Sequence, residues 1–186
     1  MKIAHLTCVH SPLDTRIFYK QCLSLVEVGH EVFLIAPSDR IKNVDGVKII
    51  STPSQRNRFR RMIIGAYLTY KAARKLNVDI YHLHDPELLP WGILLKLKTK
   101  KNIIYDMHEY LSLNFESKTW VNKSLRPYMG NLFGVIEKLF IRVIDGIVVV
   151  DDNMKKLFSL INNNIVVVSN FPSRRNIEIK IYKEPE

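Results

Sequence analysis

Between Lys2 and Val168, short apolar runs alternate with stretches whose apolar residues recur at helical spacing. Several runs, Gly146–Val150 most plainly, have no polar face at all. Such strands need cover on both sides, and a parallel sheet provides it because its crossover helices lie over both faces. The pattern predicts an α/β, doubly wound, mostly parallel sheet of about seven strands with helices on both faces. Strands are expected over Lys2–Cys8, Glu31–Ala36, Val47–Ser51, Asp79–Leu83, Asn102–Met107, Gly146–Val150 and Ile165–Val168. Helices are expected over Thr15–Val28, Arg58–Leu76, Pro86–Leu97 and Asp151–Ile161, with Ser117–Val143 broken near Pro127 and Gly130. Asp14 is the expected N-cap of the first helix and Gly29 its closing residue. Asp45-Gly46 marks a turn. Ser173–Glu186 reads as an edge strand or a linker.

Two strand ends carry the chemistry. Asp79–Leu83 runs into His84-Asp85-Pro86-Glu87, and Asn102–Met107 runs into His108-Glu109. In open α/β sheets ligands bind outside the carboxyl ends of the strands, so these groups are expected to line one crevice. The first βα loop, His10 to Arg16, opens on the same edge. Its His10, Asp14, Thr15 and Arg16 either meet a ligand, or Asp14 and Thr15 only cap the helix while Arg16 is solvated. Asp85 similarly reads as a ligand contact or as a helix cap, with Glu87 beside it. His82 and His84 share a strand face, yet His82 reads as a packed core histidine more readily than as a metal ligand. The loop has no glycine and the chain no Walker A pattern, which argues against a dinucleotide enzyme or a P-loop NTPase.

The 186 residues carry a net charge of +10, unevenly placed. Val47 to Val78 has no acid, and its cations include Arg58, Arg60, Arg61, Lys71, Arg74 and Lys75. Lys96, Lys98, Lys100 and Lys101 form a second cluster. These are either a solvated face or a surface for anionic lipid or substrate. No basic-and-aromatic repeat supports nucleic-acid binding. Met1–Leu6 reads as a strand and not as a signal peptide, and no apolar run is long enough for a spanning helix. Cys8 and Cys22 are expected to be reduced thiols of a cytoplasmic protein.

Five motifs in order carry a resemblance. They are Asp14-Thr15-Arg16-Ile17-Phe18, Gly29-His30-Glu31-Val32, His84 to Pro90, Tyr105-Asp106-Met107-His108-Glu109, and Asp145 to Val150 followed by Val168 to Pro172. From Lys2 to about Pro172 the chain resembles the N-terminal domain of family 4 glycosyltransferases, a Rossmann-like half of the GT-B fold. The resemblance implies an acceptor-binding domain at residues 1–172. It also implies a separate C-terminal domain, holding the nucleotide-sugar and an E-x7-E carboxylate pair, that this chain does not contain. Alone, the chain is then expected to be inactive.

By resemblance His108 matches the histidine that approaches the donor sugar. The residues expected to meet substrate are His10, Asp14, Thr15, Arg16, Asp85, Glu87 and Glu109. The Gly-Gly pair common in the first loop of relatives is absent here. No metal or other cofactor is expected, and the family retains anomeric configuration. The implied setting is surface polysaccharide or glycolipid assembly, in the cytoplasm or peripherally on the inner face of the cell membrane. The competing reading is a non-catalytic α/β module that binds an anionic partner or membrane surface.

Overall fold

The computed structural model describes residues 1–39, 43–108 and 122–171. Glu109, the start of the Ser117–Val143 stretch and the Ser173–Glu186 segment lie outside the described residues. Eight strands form one sheet: β1 (Lys2–Leu6), β2 (Glu31–Pro37), β3 (Asn43–Val44), β4 (Val47–Thr52), β5 (Ile80–Leu83), β6 (Asn102–Met107), β7 (Gly146–Val149) and β8 (Ile165–Val167). Their order is β3-β4-β2-β1-β5-β6-β7-β8, and every pairing is parallel except β3 with β4. β3 is the strand that periodicity missed. Two residues hold no readable pattern, but Asp45 and Gly46 both take positive φ, 47° and 83°. That is the primed turn whose twist suits a tight hairpin.

Helix α1 occupies residues 15–27, wound as a π-helix over Thr15–Cys22 and as an α-helix over Leu23–Glu27. Asp14 caps it as expected, accepting from the amides of Arg16 at 2.8 Å and Ile17 at 2.9 Å. Gly29, at φ 87°, ends it in the left-handed conformation that glycine tolerates. Its Ile17, Phe18, Cys22 and Leu23 pack on Val32, Leu34, Val47 and Ile49. The other helices are α2 (residues 58–73), α3 (residues 86–99), α4 (Arg126–Ile141) and α5 (Asp152–Phe158). They supply the opposite core, where Ala66, Tyr70, Leu89, Leu95, Ile141 and Phe158 join Leu6, Tyr81, Leu83, Ile103 and Val149. Right-handed crossovers require this split. β1 to β2 advances one way along the sheet, and β4 to β5, β5 to β6 and β6 to β7 advance the other way, so their helices fall on opposite faces.

Two helices depart from the sequence reading. In α2 the spacing puts Phe59, Ile63, Ala66, Tyr70 and Ala73 on one face, yet only Ala66, Tyr70 and Ala73 are buried, while Phe59 and Ile63 are 61% and 67% exposed. The π-wound stretch Arg61–Gly65 lies between the two halves. Its wider turn shifts the angular register, so the apolar stripe before it points elsewhere. α4 runs unbroken through Pro127 and Gly130. Pro127 sits in the first turn, where a missing amide hydrogen removes no helical bond.

Candidate functional site

The chain order reverses at β1, with β2 on one side and β5 on the other. In open α/β sheets ligands bind at such a switch point, here outside the carboxyl ends of β1 and β5. Thr7, just after β1, organises it. Its hydroxyl accepts from the amides of Val9 and His10 and donates to Asp85 Oδ2 at 2.9 Å. The Cys8 amide donates to the same oxygen at 2.6 Å. Asp85 is 2% exposed and its other oxygen faces His10 Nε2 at 3.5 Å. Asp85 is therefore a clamp between the two loops. Its side chain makes no capping bond to the helix that follows, so the helix-cap reading is corrected.

His10 stands between two carboxylates, with Nδ1 3.3 Å from Asp14 Oδ2. Its ring lies edge-on to that of His108 with centroids 5.5 Å apart. The β1 and β6 loops thus meet at this edge of the sheet. His108 is half-buried, and its Nδ1 lies 3.3 Å from the Asp106 carbonyl. That oxygen only accepts, so a neutral ring bonded to it carries its proton on Nδ1 and keeps Nε2 as the acceptor. Thr15 is exposed at the start of α1.

Arg16 is placed differently from the expectation. It is 9% exposed and forks onto Asp106, Nε to Oδ2 at 3.0 Å and Nη2 to Oδ1 at 2.7 Å. Nη1 and Nη2 also reach the Val168 carbonyl at 3.3 Å. Its guanidinium is engaged inside the fold, which corrects the reading of Arg16 as a solvated cation. Gln21 donates to Asp106 at 2.5 Å as well. Burial by itself would raise the Asp106 carboxyl, but the bonds from His84 and Arg16 outweigh it and hold the group far below the usual carboxylate range. Asp14 follows the same logic. Partial burial raises it, while the amides of Ile17 and Arg16 bring it below its ordinary value.

Behind this network His5, His82 and His84 form a buried stack, with ring centroids 4.7–5.1 Å apart. His5 Nδ1 lies 2.9 Å from His84 Nε2, a hydrogen bond for one tautomer pair. Burial holds His5 well below its ordinary value and lowers His82 to about 3. Their ligating atoms come within 4.8 Å of one another, which makes them the candidate metal cluster among the described residues. His84 stacks at 13° on His5 and at 22° on His82. The packing reading of His82 fits this geometry.

Beside the crevice, between α2, α3 and α4, lies a cavity of about 170 Å³. Met62, Leu89, Phe133, Ile136 and Phe140 line it together with Glu87 and Glu137. Glu137 is 4% exposed and accepts from the Tyr105 hydroxyl at 3.1 Å. Burial pushes its carboxyl up to about 7. Glu87 is half-buried and also raised, first by desolvation and then by the charge of Asp85. The sequence reading missed Thr7, Gln21, Glu137 and the partner role of Asp106. Only Asp106 carried a signal, as an acid inside an otherwise apolar strand.

The sequence model described as Glycosyltransferase Family 4 matches residues 15–171. No curated protein matches the chain. Sucrose-phosphate synthase from Thermosynechococcus elongatus superposes with a TM-score of 0.64 at 11% identity, covering 99% of this chain and 53% of that one. UGT73P12 of Glycyrrhiza uralensis, complexed with glycyrrhetinic acid 3-O-monoglucuronide, gives 0.62 at 8% identity over 91% of this chain and 49% of its own. UGT2 of Phytolacca americana, complexed with UDP-2fluoro-glucose and pterostilbene, gives 0.61 at 9% identity over 99% and 57%. At such identities the likeness speaks for the fold, which is the Rossmann-like fold of GT-B enzymes. The chain spans about half the length of these structures. On the strength of the family match across residues 15–171, the chain belongs to glycosyltransferase family 4.

Proposed function

We propose that the chain is the acceptor-binding half of an enzyme that moves a sugar from a nucleotide-sugar to a saccharide or lipid-linked acceptor. The observation that carries this reading is the meeting of His10 and His108 at the sheet's switch point, held by the Thr7–Asp85 clamp. In this reading His108 approaches the donor sugar from the β6 end. Its Nε2 acceptor suits a sugar hydroxyl. His10, poised between Asp14 and Asp85, borders the acceptor. Asp85, Asp14 and Arg16 position the loops without touching substrate. The donor is bound by a second domain outside this chain, and the leaving diphosphate is stabilised there by amides and cations without a metal. The reaction retains configuration and serves surface polysaccharide or glycolipid assembly at the inner face of a membrane.

Saturation-transfer NMR with nucleotide-sugars tests this division of labour. The full-length protein is expected to bind a nucleotide-sugar that the 186-residue chain by itself does not hold. Equal binding by both would refute the assignment of the donor site to another domain. The exposed basic and apolar start of α2 favours a second reading, a non-catalytic module for an anionic membrane surface. A reading frame that continues past Glu186 into a donor-binding half favours the enzyme.

A further inference from the structure

The cavity between α2, α3 and α4 is walled mostly by carbon, and among the described residues the charged groups that line it are two acids, Glu87 and Glu137. Glu87 comes from the start of α3 and Glu137 from the last turns of α4, so two separate helices bring carboxyl groups to one space. A carboxyl group in an apolar wall is costly unless something satisfies it. The protein does so only in part. Glu137 Oε1 accepts the Tyr105 hydroxyl, and no hydrogen bond among the described residues reaches Oε2. The ion pairs among the described residues include neither Glu87 nor Glu137. Cations act on them only from outside the wall. Lys138 follows Glu137 but is exposed, and Arg61 and Arg58 act on Glu87 against the opposing charge of Asp85.

Two acids in an apolar, phenyl-lined chamber call for a cation with an apolar body. An ammonium group donates charged hydrogen bonds to carboxylates, and the faces of phenyl rings such as Phe133 and Phe140 attract it. At about 170 Å³ the cavity is comparable to the roughly 150 Å³ cavities that take a benzene ring. Calcium does not suit it, since that ion takes about six to eight oxygens and this wall is mainly carbon. We propose that the cavity binds a small organic ammonium ion, with the charged nitrogen between Glu87 and Glu137 and the apolar body against Phe133, Ile136 and Phe140. The site is separate from the His10–His108 crevice, and the proposal does not depend on the transferase reading. Its pH dependence follows from the two acids. Burial raises both carboxyls, Glu137 to about 7. The ammonium pairs with the ionised form, so affinity rises as Glu137 loses its proton.

Isothermal titration of the full-length protein with benzylamine, benzyl alcohol and benzoate tests it, since the three share a ring and differ in charge. At about pH 8 benzylamine is expected to bind about tenfold or more tighter than benzyl alcohol, and benzoate more weakly than either. Between about pH 6 and about pH 8 the benzylamine affinity is expected to rise about tenfold while that of benzyl alcohol stays level. Glu137→Gln keeps an acceptor for Tyr105 and removes the charge. It is expected to weaken benzylamine about tenfold at the higher pH and to leave benzyl alcohol unchanged. Ile136→Trp fills the cavity and is expected to weaken both. Benzylamine binding no tighter than benzyl alcohol overturns the proposal, and this comparison needs no variant to fold. Wild-type benzylamine affinity in a folded Glu137→Gln protein overturns it too.

Discussion

Asp106 shows how a single side chain can be unreadable locally and still govern the site. Its acid within the run Asn102–Met107 was visible, but its partner Arg16 lies on a different element far away in sequence, so no spacing rule connects them. The result is that Arg16, legible as a cation at a sheet edge, binds a carboxylate of its own chain. Asp106→Asn leaves a buried guanidinium without its counter-charge and is expected to cost about 3–5 kcal/mol in urea unfolding. A loss below about 1 kcal/mol, typical of exposed pairs, would contradict the buried fork. Glu137 makes the opposite case. Its folded-state value of about 7 lies above the ordinary 4.5, so the folded protein holds a proton that the unfolded chain releases. Stability from this group is complete below pH 4.5 and is lost as pH rises toward 7. Glu137→Gln removes that loss, so the variant is expected to exceed the parent by about 3 kcal/mol above pH 7 and to match it near pH 4.5. His5 and His82 act with the reverse sign. Their folded values are depressed, so their contribution is present above about pH 6.5 and fades as pH falls.

Elements were legible where period and caps agreed. The cap at Asp14, the close at Gly29 and the strands from Glu31, Asn102 and Gly146 all fall where the pattern places them, because each rests on neighbours in sequence. What failed depends on geometry that spacing does not encode. A π-wound turn rotated the face of α2, a two-residue strand closed a hairpin, and a proline proved to sit in the first turn of α4. Close packing between elements is equally hidden. A Cβ on Gly92 of α3 would stand 2.4 Å from Leu83 Cδ1 and 3.3 Å from Ile103 Cγ2, inside a fully buried layer. Gly92→Ala, which improves helix propensity, is nonetheless expected to lose about 1–3 kcal/mol by overpacking. A raised melting temperature would mean that α3 moves away freely.

At the scale of the molecule, alternation of buried runs with helix patterns specified the parallel sheet, and the family match agrees with it. The site was legible as an edge, because strand ends in chemistry-bearing residues are a local signal. Its inner order was not, since Thr7, Asp85 and His10 meet only through the strand order. Among the described residues no helix is long and apolar enough to cross a membrane. The basic helices instead propose a surface role, with about 1 kcal/mol from each cation near an anionic leaflet. Co-sedimentation with vesicles containing phosphatidylglycerol is expected to fall with added salt, and Arg58→Glu with Arg60→Glu to reduce it. Equal sedimentation with neutral vesicles would refute that role.

The central claim is that the crevice where the β1 and β6 loops meet is where sugar transfer takes place, with His108 at its centre. Steady-state transfer by the full-length protein, wild type against His108→Ala, tests it most directly. The account predicts a fall in kcat of about 10²–10⁴ with an unchanged melting temperature. Transfer at the wild-type rate in the folded variant would contradict it.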